Sequence, residues 1–208
     1  FKRGTNFEIN IDGCVNNASV SGPTLKSRIG GIIGWLMSEE DTTSLSAGGV
    51  LNIKNCKNYG EISGSAHNGG IIGYIDILRR ADYITNIENC VNYGKVNNEM
   101  NYGGGIIGGV IGGLFNISKC ANYGEVVAGT NAVGGILGYA KKHANAGIHE
   151  FYITDCVNYG PLTGTTEVGG IVGSSDSKVE LDRCFNSGVL TATDLISFKG
   201  GLAANAIE

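Results

Sequence analysis

Proline is nearly missing: two residues in 208. No stretch of about 20 apolar residues occurs, so no segment reads as a membrane-spanning helix. Basic runs and basic stripes are absent and the net charge is −4, which removes the electrostatic footprint of a nucleic-acid binder. There is no C-x-x-C pair for a structural zinc site, no H-E-x-x-H motif and no glycine-rich loop ending in Lys-Ser/Thr. No order of Ser, His and Asp stands out, and no carboxylate pair repeats. These gaps argue for a non-catalytic chain with no cofactor.

What the sequence has in excess is glycine, 35 residues, well above the average of about 7%. Without proline and without a G-X-Y period this is not collagen. With 42% hydrophobic residues it is not a disordered linker either. Glycine must therefore serve turns or close backbone approach.

The six cysteines explain the glycines. Cys14, Cys56, Cys90, Cys120, Cys156 and Cys184 each stand at the same place in one repeated phrase. Two residues later comes asparagine every time: Asn16, Asn58, Asn92, Asn122, Asn158 and Asn186. Glycine follows four residues after Cys in five copies, with Ala18 in the first. An aliphatic residue stands six after Cys, and Ile or Leu three before it. Each copy closes on a Gly-Gly-Ile or Gly-Gly-Leu phrase, from Gly30-Gly31-Ile32 to Gly200-Gly201-Leu202.

Copies of 23 to 26 residues are separated by joins of variable length, the pattern of a solenoid with insertions in its loops. The expected fold is all-β: a right-handed parallel β-solenoid, or β-helix, of six coils forming one domain over residues 1–208. The coils cover about 9–34, 51–73, 85–108, 115–138, 151–173 and 179–204. About three short strands per coil are expected, around the pre-Cys Ile, six past Cys, and at the Gly-Gly-Ile phrase. Stacking at about 4.8 Å would place equivalent residues in ladders. Cys and Ile would then line the interior and the Asn amides would bond from coil to coil. Glycines would permit positive φ at corners or close approach of the next coil. Short helical turns are an option only at 35–41 and 139–148.

An even cysteine count allows disulfides, but a ladder position favours a small buried thiol. Tyr59, Tyr93, Tyr123 and Tyr159 form a row three past each Cys. The regular spacing accounts for them as a stacked structural ladder; a sugar-stacking strip is the functional alternative. His143, His149 and Glu150 share a join in no metal-ligand spacing and read as a solvated loop. His67 stands alone before a glycine pair. Glu39-Glu40-Asp41 lacks the order of a calcium loop. No metal site is expected.

The phrase C-x-N-[YS]-G-x-[VIL] followed by V-G-G-[IL]-[VIL]-G resembles the GLUG-motif repeats of bacterial surface proteins. Val133–Gly138 and Val168–Gly173 carry the likeness best, and it extends over residues 9–204. It departs in the long joins 35–50 and 139–150 and in the Ala203-Ala204 ending. Such repeats occur in secreted or cell-wall-attached proteins, including adhesins and non-catalytic parts of IgA-cleaving metallopeptidases. The resemblance implies an extracellular or cell-surface stalk or adhesive module, bacterial in origin and flanked by further repeats or domains. Its partners would be host glycans or extracellular-matrix proteins, met by the joins 35–50, 74–84 and 139–150. The rivals are a polysaccharide-degrading β-helix enzyme and the non-catalytic repeat region of a secreted peptidase.

Overall fold

The computed structural model describes residues 7–23, 27–37, 49–77, 83–142, 149–194 and 198–206. Within them the chain forms thirty strands and no helix. The strands build five parallel sheets of six strands, each sheet taking one strand from every coil. This is the expected parallel solenoid of six coils. Each coil holds five strands rather than three. In the second coil they are Gly49–Lys54, Lys57–Asn58, Ile62–Gly64, His67–Gly69 and Ile72–Asp76. The extra strands are the two-residue strand after Cys and the division of the Gly-Gly-Ile phrase between two sheets. The two-residue strand and the three-residue strand that ends on the first glycine are too short to carry an alternation in sequence.

Register follows the repeat. Ile11, Ile53, Ile87, Ile117, Ile153 and Leu181 are neighbours in the first sheet. The six asparagines are neighbours in the second. The expected join at 109–114 is mostly strand: Ile107–Ile111 runs almost directly into Gly113–Ser118, with the turn at Gly112 and Gly113, both at positive φ. The helical options fail as far as they are described, since 35–37 and 139–141 are strand ends. Residues 38–48 and 143–148, with Glu39, Glu40, Asp41 and His143, lie outside the described residues.

Two hydrophobic cores run along the axis. The larger packs Ile53, Phe115, Ile117 and Phe151 of the first sheet and the interior cysteines against Ile72, Ile75 and Val110 of the fifth. The smaller packs Ile62, Val96, Val126 and Leu162 of the third sheet against Ile29, Val133 and Val168 of the fourth. The asparagine row stands where the two cores meet. Each Nδ2 of the first five donates to Oδ1 of the next coil's asparagine, at 2.7 to 2.8 Å. The other Nδ2 proton goes to a carbonyl of the same coil two residues on, that of Ala18 or the post-Asn glycine. Asn58, Asn92, Asn122 and Asn158 are fully buried with both protons used, as a buried amide requires.

The second glycine of each of the first five pairs faces this row. A β-carbon at Gly70 would lie 2.2 Å from Cγ of Asn92 and 2.3 Å from the carbonyl oxygen of Gly105. The same clash would meet Gly31, Gly105, Gly135 and Gly170 against the asparagine of the following coil. Asn and Gly-Gly thus recur together because they occupy one contact. The repeating glycines serve close approach, not positive φ. The left-handed corner lies instead just before each Cys, at Gly13, Asn55, Asn89, Lys119, Asp155 and Arg183, with φ between 49° and 64°. Residue type varies freely there, so the repeat did not reveal it.

All six cysteines are free thiols. Cys56, Cys90, Cys120 and Cys156 are fully buried, as expected, but Cys14 is exposed and Cys184 half-buried. The end rungs lack a coil on one side among the described residues.

Candidate functional site

The tyrosine row is on the surface. Tyr59, Tyr93, Tyr123 and Tyr159 are 44 to 48% exposed. Their rings stack on one another at 4.8, 5.1 and 5.0 Å, within 17° of parallel, and Phe185 ends the row edge-on at 6.2 Å. The faces are turned to each other, so edges and hydroxyls meet the solvent. A sugar ring stacks on faces, and this row offers few.

A second row of amides, four before Cys, went unread in the sequence: Asn52 donates to Asn10, Asn86 to Asn52 and Asn116 to Asn86, at 2.8 to 2.9 Å. It is a surface ladder on the first sheet. The acids Glu61 and Glu125 stand apart, with Lys95 between them and bonded to Glu125 at 2.8 Å. His149 is not in a loop; it opens the strand His149–Thr154 and is buried. No group of three or more potential metal ligands occurs among the described residues.

Another feature gathers chemistry more densely. A trough runs between the outer faces of the fourth and fifth sheets. The first residues of the fourth-sheet strands line one bank: Arg28, His67, Tyr102, Ala132 and Glu167. Trp35, Tyr74, Gly109, Tyr139 and Ser174 line the other. Side chains from the two banks interleave in one file. The Arg28 guanidinium lies 4.2 Å from the Trp35 ring centre and 4.9 Å from that of Tyr74. His67 packs on Tyr74 at 4.2 Å and on Tyr102 at 5.2 Å, and Tyr102 stacks on Tyr139 at 4.4 Å. Gly109 makes the file possible, since a β-carbon there would lie 2.7 Å from the His67 ring. His67 is therefore not alone. Burial first, then the charges of Arg28 and Lys141, hold its pKa down at about 4, so it is neutral at pH 7.

The file stops at Tyr139. In the fifth coil the equivalent position is Ser174, and a cleft of about 300 Å³ opens. Tyr102 and Tyr139, the carboxylates of Glu167 and Asp176, and the small polar residues Asn131 and Thr166 line it. Asp176 is fixed by the Tyr139 hydroxyl at 3.3 Å and by the backbone N–H of Lys142. Burial raises the Tyr102 phenol pKa, and Glu167 and Asp176 raise it further. On Tyr139 burial acts first, then Asp176. Both carboxylates thus project their field into the same space.

This trough escaped the sequence because its members share two places in the repeat, two before and five after the first glycine of each pair, but no residue type. Of the joins expected to meet a ligand, 38–48, 78–82 and 143–148 lie outside the described residues. The strands flanking them show that each connects the fifth sheet to the first. The last of them follows Lys142, whose backbone N–H bonds Asp176 at the cleft. No family model, no curated protein and no solved structure matches this chain.

Proposed function

We propose that the chain is a non-catalytic module of a bacterial cell-surface or secreted protein, a stiff spacer that also binds host or matrix ligands. One observation carries the binding role: the aromatic file between the fourth and fifth sheets ends in a cleft lined by Tyr102, Tyr139, Glu167 and Asp176. The spacer role is supported by the unbroken register of five sheets, which spans roughly 24 Å from first to sixth rung at the usual strand spacing. The resemblance to GLUG-motif repeats supports the surface location.

The test exposes the purified chain to immobilised glycans, mucins and matrix proteins and assays soluble glycans for cleavage products. Saturable binding without products is the expected result. An empty panel would leave only the spacer. The enzyme reading has one observation in its favour, two carboxylates in one cleft. Products that vanish in Glu167→Gln would establish it and end the adhesion reading.

A further inference from the structure

We infer that the cleft of the fifth coil is a receptor for a planar cation, the guanidinium of an arginine side chain on a protein ligand. This deepens the proposed binding role by naming the ligand's chemistry, and it rests on that role for its setting.

The molecule contains its own template. In the first two coils the same trough holds the Arg28 guanidinium between the rings of Trp35 and Tyr74. A guanidinium is flat, weakly hydrated and always charged, so it stacks on rings where an ammonium would rather keep its water. From Arg28 the file continues through Tyr74, His67, Tyr102 and Tyr139 without a gap. The position after Tyr139 holds no ring, because Ser174 stands there, and the cleft takes up that space.

What the cleft adds is negative charge. Glu167 and Asp176 both line it, and Asp176 is held in place by the Tyr139 hydroxyl and the Lys142 backbone. Carboxylates receive the forked N–H groups of arginine in two parallel bonds. Asn131 and Thr166 supply further polar atoms at the wall. The side chains of Lys141 and Lys142 are exposed to solvent and do not line the cleft. Its volume, about 300 Å³, is at the small end of ligand pockets. It suits one side chain better than a length of glycan, and two carboxylates favour a cation over a neutral sugar.

Nα-acetyl-argininamide is titrated into the isotope-labelled chain and followed by amide shifts. Nα-acetyl-lysinamide and a neutral disaccharide serve as comparisons. Saturable shifts confined to residues around 139, 167 and 174–176 are expected, with a dissociation constant on the order of 1 mM. The lysine analogue should bind at least about five-fold more weakly, since it lacks the plane and the fork. Glu167→Gln and Asp176→Asn should each weaken arginine binding about ten-fold. Glu61→Gln, on an exposed row elsewhere, should leave it unchanged. Thermal melts of all variants show whether a loss is one of folding. No saturable shift, equal binding of lysine, preference for the disaccharide, or indifference to both carboxylate variants would each overturn the inference. The two readings fail separately. A wild-type chain that captures matrix proteins but ignores argininamide keeps the adhesion role and loses this site. One that binds argininamide with an empty panel keeps the site and loses the role.

Discussion

Inner and outer coils carry the same phrase and end in different environments. Cys56, Cys90, Cys120 and Cys156 are fully buried, whereas Cys14 is exposed and Cys184 half-buried. Asn58, Asn92, Asn122 and Asn158 are buried completely, and Asn16 and Asn186 only in part. Gly70 is pressed against Asn92 and Gly105, but a β-carbon at Gly201 would meet nothing within 4 Å. A place in the motif therefore fixes which face a residue presents. Having a coil on both sides fixes how much that face matters. In a stack with only nearest-neighbour contacts, stability is carried between coils rather than within them.

The sharpest way to break this comparison is the glycine pair. Gly70→Ala must move backbone or the Asn92 ladder and is expected to cost about 4 kcal/mol, while Gly201→Ala stays within about 0.5 kcal/mol. Chemical denaturation of the two variants measures the difference, and equal losses would refute the nearest-neighbour account. Next in size is the amide row. Asn122→Ala removes the donor to Asn158 and the acceptor for Asn92 in a buried place. It should cost about 2–3 kcal/mol, against less than about 1 kcal/mol for Asn16→Ala at the exposed end.

His67 gives a pH test inside the trough. Its native pKa of about 4 lies below the unfolded value of 6.5. Well above pH 6.5 neither state is protonated and there is no effect. As pH falls through 6.5 the unfolded chain takes up a proton that the native chain refuses, so stability declines until about pH 4. The decline relative to His67→Phe should reach roughly 2 kcal/mol at about pH 4.5; parallel pH profiles for the two proteins would show that His67 is not buried neutral. The smallest effect is kinetic. A thiol reagent under native conditions should modify Cys14 first and Cys184 more slowly, leaving the other four until the chain unfolds. Mass mapping of labelled peptides reads the order, and early labelling of Cys120 would contradict it.

The coil count, the parallel stacking and the asparagine ladder were all legible in the sequence. Each rests on a contact between the same residue in adjacent coils, so it is written once in every coil. The Gly-Gly phrase was legible as a repeat but not as a partner of asparagine. Its contact joins two different places in the motif, Gly70 with Asn92 for example. The left-handed corner was hidden because Asn55, Lys119, Asp155 and Arg183 share a conformation and not a chemistry.

Sequence alone therefore determined the periodic part of this protein: one rung, copied, with its inward residues and its hydrogen-bonded asparagines. Tertiary structure decided what happens only once. The file from Trp35 to Tyr139 draws on two sheets, and the cleft beyond it exists because a serine follows a tyrosine at one register position. Both use places that recur in every coil, but the side chains there are unlike, so no repeated residue type announces how they pack across two sheets or where the packing ends.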